Sequence, residues 1–204
     1  MGLNAWVNCN CYKTGKCLTP PPFPEMIVMS ETGEINIKEL NPLPLDANGD
    51  HDEEKYGLWW EQFAAPHADW RGSACEHEDM TFVRYRLGNI SGIASLRMTL
   101  AKIVEFQQHR FPVLEHQIVY SGIHGGDFLL PKAVVRLKIE LDWIAAHDKT
   151  FLNSDELLHL SHFLSKMYDL AESSQYTDNP CCFLISSTSA ACPKSPAPTN
   201  TRRR

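Results

Sequence analysis

Two pairs of candidate metal ligands constrain this chain more than any other feature. Cys9 and Cys11 stand at alternate positions, and so do Cys75 and His77, more than sixty residues later. If one ion takes all four, the fold must carry the start of the chain onto the later segment. Three thiolates and one imidazole are a frequent closed ligand set for zinc, so zinc is the cofactor this set implies. The spacing differs from the C-x2-C knuckle, whose turn aims both sulfurs at an ion; C-x-C and C-x-H need a strand or a tight turn instead. A competing reading takes these thiols as small buried hydrophobes, and both readings stand at this point. Around the second pair, Cys75-Glu76-His77-Glu78-Asp79 packs a thiol, an imidazole and three carboxylates together. If only three of the four bound metal, the open position would hold water, and Glu76, Glu78 or Asp79 would serve as base in metal-assisted hydrolysis.

The chain has 204 residues, 43% of them hydrophobic, enough for a core of its own. A net charge of −6 leaves no basic field to attract nucleic acid or anionic lipid, and the one basic cluster is Arg202-Arg203-Arg204 at the end. No export signal and no apolar run of spanning length is visible, which predicts a cytoplasmic protein with no membrane partner. Seven cysteines in a reducing compartment pack, bind metal or react more often than they pair.

Alternation from Leu3 to Cys11 predicts a strand with Cys9 and Cys11 on one side. Gly15 and four prolines between Thr14 and Pro24 predict an extended loop that holds Cys17. Met26–Ser30 and Glu34–Ile37 flank a Gly33 turn and read as a hairpin. A mobile connection is expected over 41–52. Tyr56, Trp59, Trp60 and Phe63 then recur at helical spacing, as a core stripe ended by Pro66. Thr81–Leu87 reads as a strand broken by Gly88-Asn89, and 90–108 as a long amphipathic helix. Phe111–Tyr120 reads as a strand, with a helical turn at Leu-Glu-His as the alternative.

Ser121–Phe128 is a Gly-rich turn around His124 and Asp127. Glycines there let a ligand approach, and histidine as a residue type can change its charge near neutrality. It lacks the Gly-Lys-Ser/Thr of a P-loop, and Asp127 adds negative charge against phosphate. The plain alternative has Asp127 capping the next helix while His124 bonds a backbone carbonyl. Pro131 opens that helix, which runs to about Ala146 with Leu137, Leu141 and Ile144 inward. Asn153 and Glu156 form a capping-box pattern for a last helix that buries Leu157, Leu160, Leu164, Met167 and Ala171. Asn179-Pro180 stops it, and Cys182–Ile185 adds a short edge strand. The expected fold class is α+β: a small, mostly antiparallel sheet against three long helices, one domain over 1–185, and a disordered tail over 186–204.

Ala74-Cys75-Glu76-His77-Glu78-Asp79, Arg86-Leu87-Gly88-Asn89-Ile90 and Tyr120-Ser121-Gly122-Ile123-His124-Gly125-Gly126-Asp127-Phe128-Leu129 together resemble a family of uncharacterised small bacterial proteins. That family also opens with a cysteine-containing first strand and a proline-rich loop like Thr19-Pro20-Pro21-Pro22. The resemblance covers roughly residues 1 to 185. It implies one-domain organisation and no particular reaction.

The reading favoured at this level is a non-catalytic intracellular protein that acts through a protein partner, as an inhibitor or immunity protein does, with a structural metal site. The alternative is a metal-dependent hydrolase that joins Cys75 and His77 to Glu76, Glu78, Asp79, His124 and Asp127. A shared cleft between residues 75–79 and His124 would favour the hydrolase.

Overall fold

The computed structural model describes residues 1–38, 45–46, 48–50, 52–120, 124–147 and 149–186. The expected tail beyond Ser186 and part of the 41–52 connection lie outside the described residues. Four antiparallel strands form the main sheet: β1 (Gly2–Asn8), β4 (Thr81–Asn89), β5 (Gly125–Leu129) and β6 (Cys181–Ser186), in the order β4-β1-β6-β5. The short pair β2 (Ile27–Met29) and β3 (Ile35–Ile37) is the hairpin expected around Gly33, whose φ of 75° needs a residue without Cβ. Three long helices complete the α+β fold: α3 (Ile90–Gln107), α4 (Pro131–Ala146) and α5 (Ser154–Thr177). None is long and apolar enough to cross a membrane.

Alternation along β1 decides which face of the sheet is covered. Leu3, Ala5 and Val7 are at most 1% exposed and join Phe183 and Cys181 of β6 in one core with the inward stripes of α3, α4 and α5. Local signals set the helix ends. The Asn89 side chain accepts from Gly92 N at 2.7 Å to open α3, Pro131 starts α4, and the Asn153–Glu156 capping box opens α5.

Several segments depart from the sequence reading. Residues 114–118 form one wide helical turn, Leu114–Ile118, which is the alternative read at Leu-Glu-His and not the strand. Glu140 of α4 supplies the reason, since its two carboxylate oxygens accept Val113 N and Leu114 N, each at 2.9 Å, and so satisfy the orphan donors at that helical start. Burial pushes the Glu140 carboxyl up, against the pull of those two bonds. Glu140→Gln is expected to cost about 1–3 kcal/mol, because one oxygen becomes an NH2 facing a backbone donor. A urea titration showing a loss under about 0.5 kcal/mol would contradict this capping role.

Pro66 does not end the aromatic helix. α1 (Glu53–Trp59) passes through a π-helical turn, Trp60–Ala64, into α2 (Ala65–Ser73), and Pro66 sits in the first turn of α2, where a missing N–H is tolerated. The buried side chains of this stretch are Ala64, His67 and Trp70, while Trp60 remains 39% exposed and Tyr56, Trp59 and Phe63 half-buried. β4 continues through Gly88-Asn89 to pair with Gly2 and Leu3. β6 is an inner strand, because β5 pairs along its free side. Leu157 points partly outward, at 37% exposed.

Candidate metal centre

β1 ends at Asn8, so Cys9 and Cys11 lie just beyond the strand and not in it. Cys9 N donates to Met80 O at 2.8 Å, which carries the β1–β4 pairing one step further. The chain then turns back on itself: Thr14 N donates to Asn10 O at 3.0 Å, Lys16 N to Cys11 O at 2.8 Å, and Gly15 takes a φ of 67°. From the other direction, α2 ends at Ser73 and delivers Cys75 and His77 ahead of a 3-10 turn, Glu78–Met80. That turn holds Asp79 and Met80 at φ 49° and 56°, a left-handed conformation that costs a non-glycine residue about 1–2 kcal/mol. Such an outlier persists only where the surroundings impose it.

The four donor atoms converge. Cys9 Sγ lies 3.7 Å from Cys75 Sγ, Cys11 Sγ 3.4 Å from His77 Nδ1, and Cys75 Sγ 3.6 Å from His77 Nδ1. All four lie within 4.8 Å of one another. A tetrahedral zinc with ordinary bond lengths would place sulfur pairs about 3.8 Å apart and sulfur–nitrogen pairs about 3.5 Å apart. The Cys3His cluster therefore fits a metal such as zinc. Ligation through Nδ1 puts the imidazole proton on Nε2. Without an ion Cys9 and Cys11 are poor thiolates, since burial pushes both up. A cation at the centre would offset that cost.

The surroundings form a second, small core in which Cys9, Cys11 and Cys75 pack with Ile35, Trp70, Ala74 and Met80. α2 holds the hairpin against it: His67 Nε2 donates to Ile35 O at 3.2 Å, and Arg71 Nη1 donates to Glu34 Oε1 at 3.1 Å. Desolvation holds His67 below its usual range, consistent with this neutral, single-donor role. Trp70 Nε1 donates to Thr19 O at 3.0 Å and pins the proline-rich loop.

Asn179 is the positioning residue that reading the chain alone missed. Fully buried after the end of α5, it donates Nδ2 to Asn8 O and Cys9 O, at 2.9 and 3.0 Å, while its Oδ1 accepts Lys13 Nζ at 2.7 Å. Gly33 packs so closely on the same side chain that a Cβ there would collide with it. Asn179→Ala is expected to cost about 1–3 kcal/mol by leaving unpaired two carbonyls, those of Asn8 and of the candidate ligand Cys9. Retained stability in urea within about 0.5 kcal/mol would show that they find other partners.

The other candidate site residues do not join the cluster. Glu76 and Glu78 are exposed, and Asp79 is half-buried in the strained turn. His124 belongs to the opposite end of the sheet: its carbonyl accepts Ile185 N, and Ile185 pairs with Leu3. Leu3 lies near the start of β1 and Cys9 one residue past its end, six residues apart, a span of about 20 Å for extended chain. His124 is 2% exposed, with Nε2 2.8 Å from Ile118 O and Nδ1 2.9 Å from Asp127 Oδ2. Asp127 also accepts the Tyr120 hydroxyl at 2.7 Å. Asp127 thus lies beside His124 and does not cap α4, whose N-cap is Leu130, and the Gly125–Leu129 stretch is strand β5. Residues 121–123 of the Gly-rich segment lie outside the described residues. Cys181 and Cys182 point to opposite sides of β6, as adjacent strand residues must, and burial pushes both thiols up to about 12. Comparison with protein-family models, with curated proteins and with solved structures gives no match.

Proposed function

We propose that the chain binds one zinc ion through Cys9, Cys11, Cys75 and His77 as a closed structural site, and that it acts without catalysis through a protein partner inside the cell. The carrying observation is the agreement of the three short donor separations with a tetrahedral ion. Three of the seven buried residues of the second core are the candidate ligand cysteines, too little apolar volume to hold hairpin, loop and α2 together unaided.

Four protein donors leave no open coordination position for a reacting water, which separates this reading from a hydrolase. The separation of His124 and Asp127 from the cluster supports the same choice. Exposed apolar side chains on two helices support a protein partner: Ile90 and Met98 on α3 are 54% and 66% exposed, and Val135 and Ile139 on α4 are 49% and 64%. An inhibitor or immunity protein is the kind of molecule this describes, in the small bacterial family the motifs resemble. The test is zinc per chain by elemental analysis. One equivalent is expected in the wild type and a clear loss in Cys9→Ser and His77→Ala; no bound metal in carefully prepared wild type, or full metal in both variants, overturns the reading.

A further inference from the structure

Among the described cysteines, Cys17 is the one that is not buried. Both of its neighbours are tied to the segments that carry the candidate ligands. Lys16 N donates to Cys11 O at 2.8 Å, and Leu18 N donates to Ala74 O at 2.7 Å. The second bond leaves Cys17 and Cys75 one residue from either end, and Cys17 packs against the same small core as Cys9, Cys11 and Cys75. A disulfide takes Cα separations of about 4.4–6.8 Å, a reach that one residue beyond each end of a 2.7 Å hydrogen bond allows. A thiol reached by solvent therefore stands beside a thiol the metal needs.

We propose that Cys17 and Cys75 form an oxidation-sensitive pair, converted to a disulfide by hydrogen peroxide or a related peroxide, which removes one ligand from the metal site. The consequence for the metal rests on the zinc reading above. The Cys17 sulfur attacks a peroxide oxygen and the O–O bond breaks, with the departing hydroxide leaving as water together with the thiol proton. The Cys75 sulfur, a thiolate while it serves as a ligand, attacks the resulting sulfenic sulfur, the S–O bond breaks, and hydroxide leaves and takes a proton from solvent as the second water. Two electrons pass from the two sulfurs to the peroxide, so one thiol, one thiolate, one peroxide and one solvent proton become one disulfide and two waters. Cys9, Cys11 and His77 then remain as three donors, and metal retention falls. Dithiothreitol reverses the change.

The test treats the zinc-loaded full chain with hydrogen peroxide, follows zinc release with a chromogenic chelator, and maps disulfides in non-reduced peptides. The expected result is a Cys17–Cys75 peptide in the wild type, with release slowed about tenfold in Cys17→Ser while zinc affinity in chelator competition stays unchanged. Equal release rates in wild type and Cys17→Ser, or a Cys9–Cys75 disulfide in place of Cys17–Cys75, overturn the proposal. A wild-type chain that forms the Cys17–Cys75 disulfide but carries no metal sinks the zinc reading and leaves the thiol pair standing. A zinc-loaded chain whose release ignores Cys17 does the reverse.

Discussion

Removing zinc with a strong chelator is expected to lower the melting temperature by about ten degrees, starting with the hairpin, the 9–19 loop and α2. The ion would join Cys9 and Cys75 across 66 residues of sequence. As a cross-link of that loop length it is worth about 4 kcal/mol in lost unfolded-state entropy. Its binding energy is also folding energy, because the unfolded chain has no such site. For a domain of this size each kcal/mol moves the midpoint by about 2–4 °C. The core of α3, α4, α5 and the sheet contains no candidate ligand, so it should keep its amide-exchange protection while residues 9–38 and 53–80 lose theirs. An unchanged melting curve after complete metal removal would contradict a structural role. His77→Ala should reproduce much of the shift without chelator.

Leu160→Ala is expected to cost about 2–5 kcal/mol, as large-to-small changes in a filled core do. Leu160 is 1% exposed in the centre of the main core, with Phe163, Leu164 and Met167 of the same helix around it. Leu157, one turn earlier and 37% exposed, provides the internal control: Leu157→Ala should cost less than about 1 kcal/mol. Urea titrations of both variants decide the matter. Equal losses at the two positions would mean that α5 is rotated from the orientation described. The Asn153–Glu156 box fixes where that helix begins, so the difference reflects which side faces the sheet and not fraying.

The part of the fold legible in the residues is the part that short-range chemistry decides. The α5 start needs only Asn153 and Glu156, the α4 start needs Pro131, and the hairpin needs Gly33 at positive φ, all within one turn of chain. The inward stripe of α4 follows in the same way from helical period. The ligand types in the metal cluster were legible too, because few side chains bind zinc and two pairs of them repeat at alternate positions.

Tertiary contacts decided the rest. Residues 114–118 have strand-like composition, yet they curl because Glu140, 27 positions from Val113, offers two acceptors where a helix start needs them. The 181–186 strand is internal because β5 arrives from elsewhere in the chain, and no local pattern reports a pairing partner. Pro66 ends nothing, because a π-helical turn just ahead places it where its missing donor costs little. Sequence alone therefore determined which residues could bind a metal and where the three long helices begin. That Cys9, Cys11, Cys75 and His77 meet while His124 and Asp127 stand at the far end of β1 was decided by the β1–β4 register and by Asn179, buried contacts between residues far apart in sequence.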